Sequence, residues 1–319
     1  MTSRIAIVGA GMAGLAAARR LKDYDVKITI FEKSRGVGGR MATRRVDELR
    51  FDHGAQYFTI KDGRFGAMVN EWQAAGHAQE WFEGAFVGTP GMTAPARAMA
   101  DGLSIVSRCQ VMGLRHDENG WALFDEAGLV DTPDNGRFAA VILAVPAPQA
   151  APLAAAAGAP LSGLETVRYA PCWALMLAFS PVVEFPDDRI SPQDQTISWI
   201  ARNSSKPDRT RAIDTFVVHA TPDWSRRHLE LSAEDAAKKL TEQFERLTGI
   251  DAQPAFSAAH RWRYALVEQT AGSAFLWDRS ARLGACGDWC LGPRVEAAFD
   301  SGNALGAAVI DTLEANLVV

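Results

Sequence analysis

The sequence predicts an α/β protein in two parts: a mostly parallel sheet assembled from both ends of the chain, and an α+β part with an antiparallel sheet from its middle. Three observations lead there. Residues 4–8 (Arg-Ile-Ala-Ile-Val) are a short apolar run that stops at glycine; an alanine-rich helical pattern over 12–21 and a second run over 26–31 complete half of a βαβ unit. From about 162 to 275, strand-like stretches alternate with turns. An apolar strand at 283–286 and a helix over 295–313 then return to the first part. The expected division is 1–60, 93–160 and 280–319 for the first domain, and 61–92 and 161–279 for the second.

Between these landmarks, strand-like runs at 103–111 and 121–124 are separated by turn residues at 117–120. The continuous apolar run at 139–145 suits a strand buried on both faces of a parallel sheet. The stretch 138–164 is poor in charge, but Pro146, Pro148, Pro152 and Pro160 remove backbone donors and break a continuous helix, so no membrane span is expected. In the second part, strands are expected at 174–179, 196–200, 215–219 and 260–264. An amphipathic helix over 233–247 follows the capping residue Ser232, with Asp235 three positions on.

The 319 residues exceed one minimal core, and 48% hydrophobic with 22% charged residues is ordinary for a globular protein. A net charge of −5 argues against a nucleic-acid partner. The four cysteines fit neither a disulfide framework nor a metal site, because Cys286 and Cys290 lack a second ligand pair. After residue 4 the chain enters its first strand, which leaves no room for a leader peptide, so a soluble, cytoplasmic protein is expected.

The first motif is Gly9-Ala10-Gly11-Met12-Ala13-Gly14, between the first strand and the first helix. Gly9 permits a tight turn, Gly11 lets the backbone approach a pyrophosphate, and Gly14 allows close helix–strand packing; the helix N-terminus offers free N–H groups. Glu32, at the end of the second strand, can accept hydrogen bonds from a ribose diol and would repel a 2′-phosphate. This is a Rossmann-type dinucleotide fingerprint. A second glycine loop, Gly36-Val37-Gly38-Gly39-Arg40-Met41, favours FAD over NAD, since its N–H groups and Arg40 can reach the same pyrophosphate. Residues 51–58 would bring the chain toward the flavin ring, with Gly54 permitting close approach and Gln56 and Tyr57 offering polar contacts. Near the carboxyl end, Gly287-Asp288 can bind a ribityl hydroxyl, and the helix from Val295 points its positive end at the flavin.

Together these elements resemble the renalase family, a branch of the amine-oxidase-like flavoproteins with a fold similar to p-hydroxybenzoate hydroxylase. The resemblance spans essentially the whole chain and is carried most specifically by 8–12, 38–41 and 54–57, with Arg261-Trp262-Arg263-Tyr264 similar to a late substrate-domain strand. It implies FAD contacts at Ala13, Glu32, Arg40, Gln56, Tyr57, Asp288 and Val295, with the Val111 backbone against the adenine; Gly9, Gly11, Met12, Gly14, Lys33, Gly39, Met41, Gly54, Gly287 and Glu296 complete the expected FAD site, and the flavin is expected to be bound non-covalently. The implied activity is oxidation of a dihydronicotinamide, the 2- or 6-dihydro isomers of NAD(P), with hydride going to flavin N5 and electrons to dioxygen, giving NAD(P)+ and hydrogen peroxide.

Hydride transfer needs positioning more than an acid or base, and no nucleophilic triad stands out. His260, Trp262, Arg263 and Tyr264 are the pocket candidates. Alternation puts Trp262 and Tyr264 on one strand face to stack a nicotinamide, and Arg261 and Arg263 on the other to meet a phosphate. The alternative is a flavin amine oxidase or desaturase-type oxidase. Amine oxidases of the superfamily carry a late lysine, and beyond residue 207 this chain has only Lys238 and Lys239, both on the amphipathic helix. A non-catalytic flavin-binding sensor is the remaining alternative. His53 is a weaker pocket candidate, and His219 reads as an ordinary surface or core residue.

Overall fold

In the computed structural model, which describes residues 2–130 and 137–315, the chain opens as the sequence predicts. Strand β1 (Ser3–Val8) leads through Gly9 into helix α1 (Met12–Leu21), and β2 (Val26–Glu32) pairs in parallel with β1, Val8 opposite Phe31. Next come the hairpin β3 (Arg44–Val46) and β4 (Leu49–Phe51), helix α2 (Gly63–Ala74), and a second hairpin, β5 (Ala78–Phe82) and β6 (Ala85–Gly88). Helix α3 (Ala94–Ala100) precedes β7 (Ile105–Ser107), an edge strand beside β2. Of the run expected over 103–111, only these three residues are strand. The next ones turn back on β2, with Arg108 N donating to Ser34 O and Cys109 N to Glu32 O, both at 3.0 Å.

A small antiparallel sheet of β8 (Gly113–Asp117), β9 (Gly120–Asp125) and β10 (Gly128–Leu129) precedes β11 (Ala140–Leu143), which is fully buried beside β1. No continuous helix runs over 138–164, as the sequence reading expects, but a short one forms among the prolines. Helix α4 (Ala147–Ala156) carries Pro148 in its first turn, where the missing N–H costs nothing, and accommodates Pro152 in its interior. At ~15 Å it is half the thickness of a bilayer core, and no helix among the described residues is long and apolar enough to cross a membrane.

The middle of the chain forms a five-stranded antiparallel sheet from β12 (Arg168–Phe179), β13 (Arg189–Ile190), β14 (Ile197–Arg202), β15 (Asp214–Ala220) and β16 (Phe256–Gln269), in the order β13-β14-β15-β12-β16. After α5 (Pro222–Arg227), helix α6 (Ala233–Thr248) lays Ala236, Leu240 and Phe244 on this sheet against Phe179 and Phe216. Ser232 Oγ accepts from Asp235 N and donates to its carboxylate.

Strands β17 (Leu276–Asp278) and β18 (Leu283–Ala285) complete the first sheet, order β17-β18-β11-β1-β2-β7, with β17 its one antiparallel member. Helices α7 (Asp288–Leu291) and α8 (Val295–Ala315) end the described chain. Helix α8 lies hard against α1: a Cβ on Gly302 would meet Ala13 O at 2.0 Å. Two pieces of the stretches expected with the antiparallel sheet pack elsewhere. Strand β17 pairs with β18, and Phe65, Val69 and Trp72 of α2, with Ala78 and Val87, share one core with Ile5, Ile7 and α1.

Candidate active site

The two glycine loops meet at the carboxyl edge of the parallel sheet. Gly38 N donates to Ala10 O at 2.9 Å, and a Cβ on Gly39 would sit 3.5 Å from Gly11 Cα. At Gly14 a Cβ would meet Gly9 O at 2.0 Å, so the tight seating of α1 on the loop requires glycine there. At Gly11 no atom lies within 4 Å of an added Cβ, which leaves the open approach a pyrophosphate needs. Met12 and Ala13 are buried in the first turn of α1. Glu32 Oε2 accepts from Ala10 N at 2.9 Å and Oε1 from Ser34 N at 2.7 Å, so the carboxylate braces the fingerprint loop. Lys33, just past the strand, is exposed, while Val111, at the end of the segment that runs back along β2, is buried.

Arg40 and Asp288 come together from opposite ends of the chain. Arg40 Nη1 donates to Asp288 Oδ2 at 2.8 Å and Nη2 to Oδ1 at 2.6 Å, a bidentate pair, and Nη1 also reaches Ala265 O on β16 at 2.9 Å. Burial alone would lower the Arg40 pKa, but the Asp288 carboxylate more than offsets it. Gly287 N donates to Ser301 Oγ at 3.0 Å, which ties the turn before Asp288 to α8. Tyr169 Oη is buried beside the Ala147 backbone, and its ionisation is suppressed by burial and by Asp288.

Three residues expected at the cofactor also make contacts within the protein. Gly54 is held to glycine by Arg40: a Cβ there would meet Arg40 O at 2.0 Å, and the next residue, Ala55, donates its N–H to that oxygen at 2.8 Å. Gln56 is turned into the protein, its amide donating to Asp52 O and Gly54 O. Glu296 holds the entry to α2, with Oε1 accepting from Lys61 N at 2.7 Å and Asp62 N at 2.6 Å. Its charge in the first turn of α8 opposes the positive helix end that the sequence reading aims at a flavin. Val295 packs against the main core, and Met41 is buried there.

Beneath residues 51–57 lies a polar cluster that sequence reasoning missed. The fully buried Asp52 accepts from Thr43 Oγ1 at 2.7 Å and Met92 N at 2.9 Å through Oδ1, and from Arg209 Nη2 at 2.7 Å and Lys206 Nζ at 3.4 Å through Oδ2. Burial alone would raise the Asp52 pKa, but the two cations hold it far below the usual carboxylate range. Lys206 also lies 3.5 Å from Gln56 Oε1; burial, partly offset by Asp52, pulls its pKa down to about 8. It stands one residue short of the region searched for a lysine and, set in the polar run Asn203-Ser204-Ser205-Lys206-Pro207, reads from sequence as surface.

Above the cluster, rings pack together where the sequence reading expects one wall of a substrate pocket. His53 and His260 have centroids 4.9 Å apart, His260 and Trp262 4.4 Å, and Trp262 Nε1 donates to His53 O at 2.9 Å. Burial lowers the pKa of His53 and of His219 to about 4, and lowers that of His260, so the imidazoles are neutral at physiological pH. His219, read as ordinary, approaches both His53 O at 3.3 Å and Gln56 Nε2 at 3.4 Å. His53 Nδ1 is buried against the backbone of Phe51. Tyr57 is exposed, its ring against Phe82 and Trp199 at 5.2 and 5.8 Å. Tyr264 lies on the Trp262 face, against Tyr169 at 5.6 Å. Arg261 and Arg263, on the opposite face, both pair with Glu230, so Arg263 is not part of this wall.

The donor set suits a flavin dinucleotide. Two glycine loops offer open backbone, a carboxylate ends the second strand, and a buried tyrosyl hydroxyl with its donor unspent stands beside the Arg40–Asp288 pair.

Comparison with known proteins gives the same picture. A model of the NAD(P)-binding Rossmann-like domain matches residues 7–72, and a model of flavin-containing amine oxidoreductases matches 77–304, more than two thirds of the chain. Protoporphyrinogen oxidase 2 of Arabidopsis thaliana is 37% identical over 68 residues, 21% of this chain and 13% of the plant protein. A 4,4′-diapophytoene desaturase of Staphylococcus haemolyticus is 48% identical over 58 residues, 18% of this chain and 12% of its own length. The matched stretch is therefore a small fraction of these relatives. Among solved structures, a proposed protoporphyrinogen oxidase from Exiguobacterium superposes with a TM-score of 0.78 at 13% identity, covering 98% of this chain and 99% of its own. Cyclohexylamine oxidase from Brevibacterium oxydans superposes with 0.69 at 13% identity, covering 98% and 100%; likeness at that identity establishes the fold.

Proposed function

The chain belongs to the flavin-containing amine oxidoreductase family, and from that premise we propose that it is an FAD-dependent oxidase acting on a dihydronicotinamide nucleotide, one of the 2- or 6-dihydro isomers of NAD(P), with dioxygen as electron acceptor and NAD(P)+ and hydrogen peroxide as products. The narrower likeness to renalases is part of this proposal. FAD, bound non-covalently, supplies the two-electron acceptor. The observation that carries the substrate choice is the ring cluster: Trp262, with the His53 ring tilted 32° to it and the His260 ring edge-on at 70°, offers an uncharged aromatic surface that suits a nicotinamide ring.

The chain's own groups do positioning work. Gly11, Gly39 and Glu32 would take the pyrophosphate and adenosine ribose, and Tyr169 Oη has hydrogen-bonding capacity to spend beside Arg40 and Asp288. The wall rings exclude water and fix the substrate plane, which is the main requirement of hydride transfer.

A second reading, oxidation of a primary amine, is favoured by the family description across 77–304. Against it, the carboxylates nearest the wall are committed: Asp52 to Lys206 and Arg209, Glu230 to Arg261 and Arg263, and Asp288 to Arg40. Anaerobic stopped-flow mixing decides. Bleaching of the flavin by 2- or 6-dihydronicotinamide nucleotides and not by amines is the expected result; bleaching by amines alone would overturn the proposal.

A further inference from the structure

Sequence reasoning looked to Arg261 or Arg263 for a substrate phosphate, and Glu230 holds both on the far face of β16. The cations around the cleft are otherwise spoken for as well: Arg40 by Asp288 and Ala265 O, Arg209 by Asp52 and Gly88 O, Lys206 by Asp52 and Gln56. Arg44 differs. Among the described residues, no hydrogen bond, ion pair or ring contact engages its guanidinium.

Its direction follows from the hairpin. Arg44 is the cross-strand neighbour of Phe51, and directly paired residues project to the same face. The Phe51 ring stacks on Phe256 of β16 with centroids 5.3 Å apart and packs beside Ala258. Alternate residues of a strand share a face, so the row Phe256, Ala258, His260, Trp262 runs from beneath this hairpin to the cleft wall. The Arg44 charge is felt there, since it contributes to the lowered pKa of both His53 and His260. The same corner holds the His53 ring, two residues from Phe51 and in contact with its backbone. A half-buried, uncommitted guanidinium beside neutral imidazoles is a receptor for a compact anion, and its planar fork matches phosphate oxygens.

We propose that Arg44 binds the phosphate of the substrate at the mouth of the cleft, with His53 and His260 beside it, and so selects phosphorylated nicotinamide nucleotides over uncharged nucleosides and over amines. This rests on the dihydronicotinamide reading and specifies which chemical form of that substrate the site takes.

The test uses flavin-loaded wild-type protein and the R44A and R44K variants. Anaerobic stopped-flow gives the Kd of 6-dihydronicotinamide mononucleotide and of the matching riboside from the concentration dependence of flavin bleaching. R44A is expected to raise the nucleotide Kd about 10- to 100-fold, the range of a charged hydrogen bond. The riboside Kd and the flavin spectrum should stay unchanged, and R44K should recover part of the loss. An equal effect on nucleotide and riboside, or none on the nucleotide, overturns the proposal. Inorganic pyrophosphate, titrated against the visible spectrum and thermal midpoint of the oxidised protein, separates the two readings. If no dihydronicotinamide bleaches the flavin but pyrophosphate binds wild type and not R44A, the activity falls and the Arg44 site stands. Indifference of pyrophosphate binding to R44A, in that case, removes the site as well.

Discussion

Arg40 and Asp288, separated by 248 positions, form a two-pronged ion pair at 2.6 and 2.8 Å. The pair joins the second glycine loop to the turn before α8, and through Ala265 O it also touches the antiparallel sheet. One salt bridge thus fastens three distant segments around the proposed flavin site.

Breaking that pair from one side should cost more than removing it whole. Arg40→Ala leaves Asp288, whose side chain is 7% exposed, without its counter-charge; a loss of about 3 kcal/mol in urea unfolding is expected. R40M/D288L should lose less than the sum of the single losses, by about 1.5 kcal/mol or more. Additive losses would mean that the contact does not hold the segments together.

Glu32 braces the Ala10 N–H, and in the proposed FAD site its carboxylate also takes the ribose diol. E32A should weaken FAD binding by about 1.5–3 kcal/mol, the worth of a charged hydrogen bond. Flavin content of purified protein, read from absorbance, checks this, and full occupancy in E32A would mean that the fingerprint has been misplaced.

Acid should destabilise the protein through its buried histidines. His53 and His219 have pKa values lowered to about 4, against 6.5 when unfolded, so between those limits the unfolded chain binds more protons. Stability therefore falls as pH drops from 6.5 toward 4, with each histidine contributing up to ~1.4 kcal/mol per pH unit. H53L should show a shallower decline in urea midpoint over this window. An unaltered slope would mean that His53 titrates normally.

The Asp52 cluster should be unequal in its parts. D52A leaves Lys206 and Arg209 both buried and unpaired, and about 3–5 kcal/mol of destabilisation is expected. K206M keeps the Arg209–Asp52 pair and should cost under ~1.5 kcal/mol. It should also abolish an alkaline feature. With a folded pKa of about 8 against 10.5 unfolded, Lys206 makes wild-type stability rise with pH between those values. Unfolding midpoints from pH 7 to 10.5 check both claims; a variant as sensitive to alkali as wild type would contradict the second.

What the sequence made legible is what local chemistry encodes. The βαβ opening shows because an apolar run, three glycines and an alanine-rich helix lie within thirty residues, and α1 begins and ends where the periodicity does. Helix α6 was readable from Ser232 and its apolar stripe. Strand β12 was half read, since Pro171 suggests a break; the register with β16 shifts between Ala170 and Cys172, where the missing donor is tolerated. The meeting of Gln56 with Lys206 and of Glu296 with the α2 entry depends on partners 150 and 235 positions away, and Arg44 is defined by what fails to pair with it. No short-range pattern announces any of these.

The central claim is that both ends of the chain close around one flavin dinucleotide. Titrating FAD into flavin-stripped protein, followed by quenching of flavin fluorescence, tests it most directly. Saturation at one FAD per chain, with weaker binding in both E32A and D288A, is the expected result. Protein that isolates colourless and takes up no FAD would contradict it.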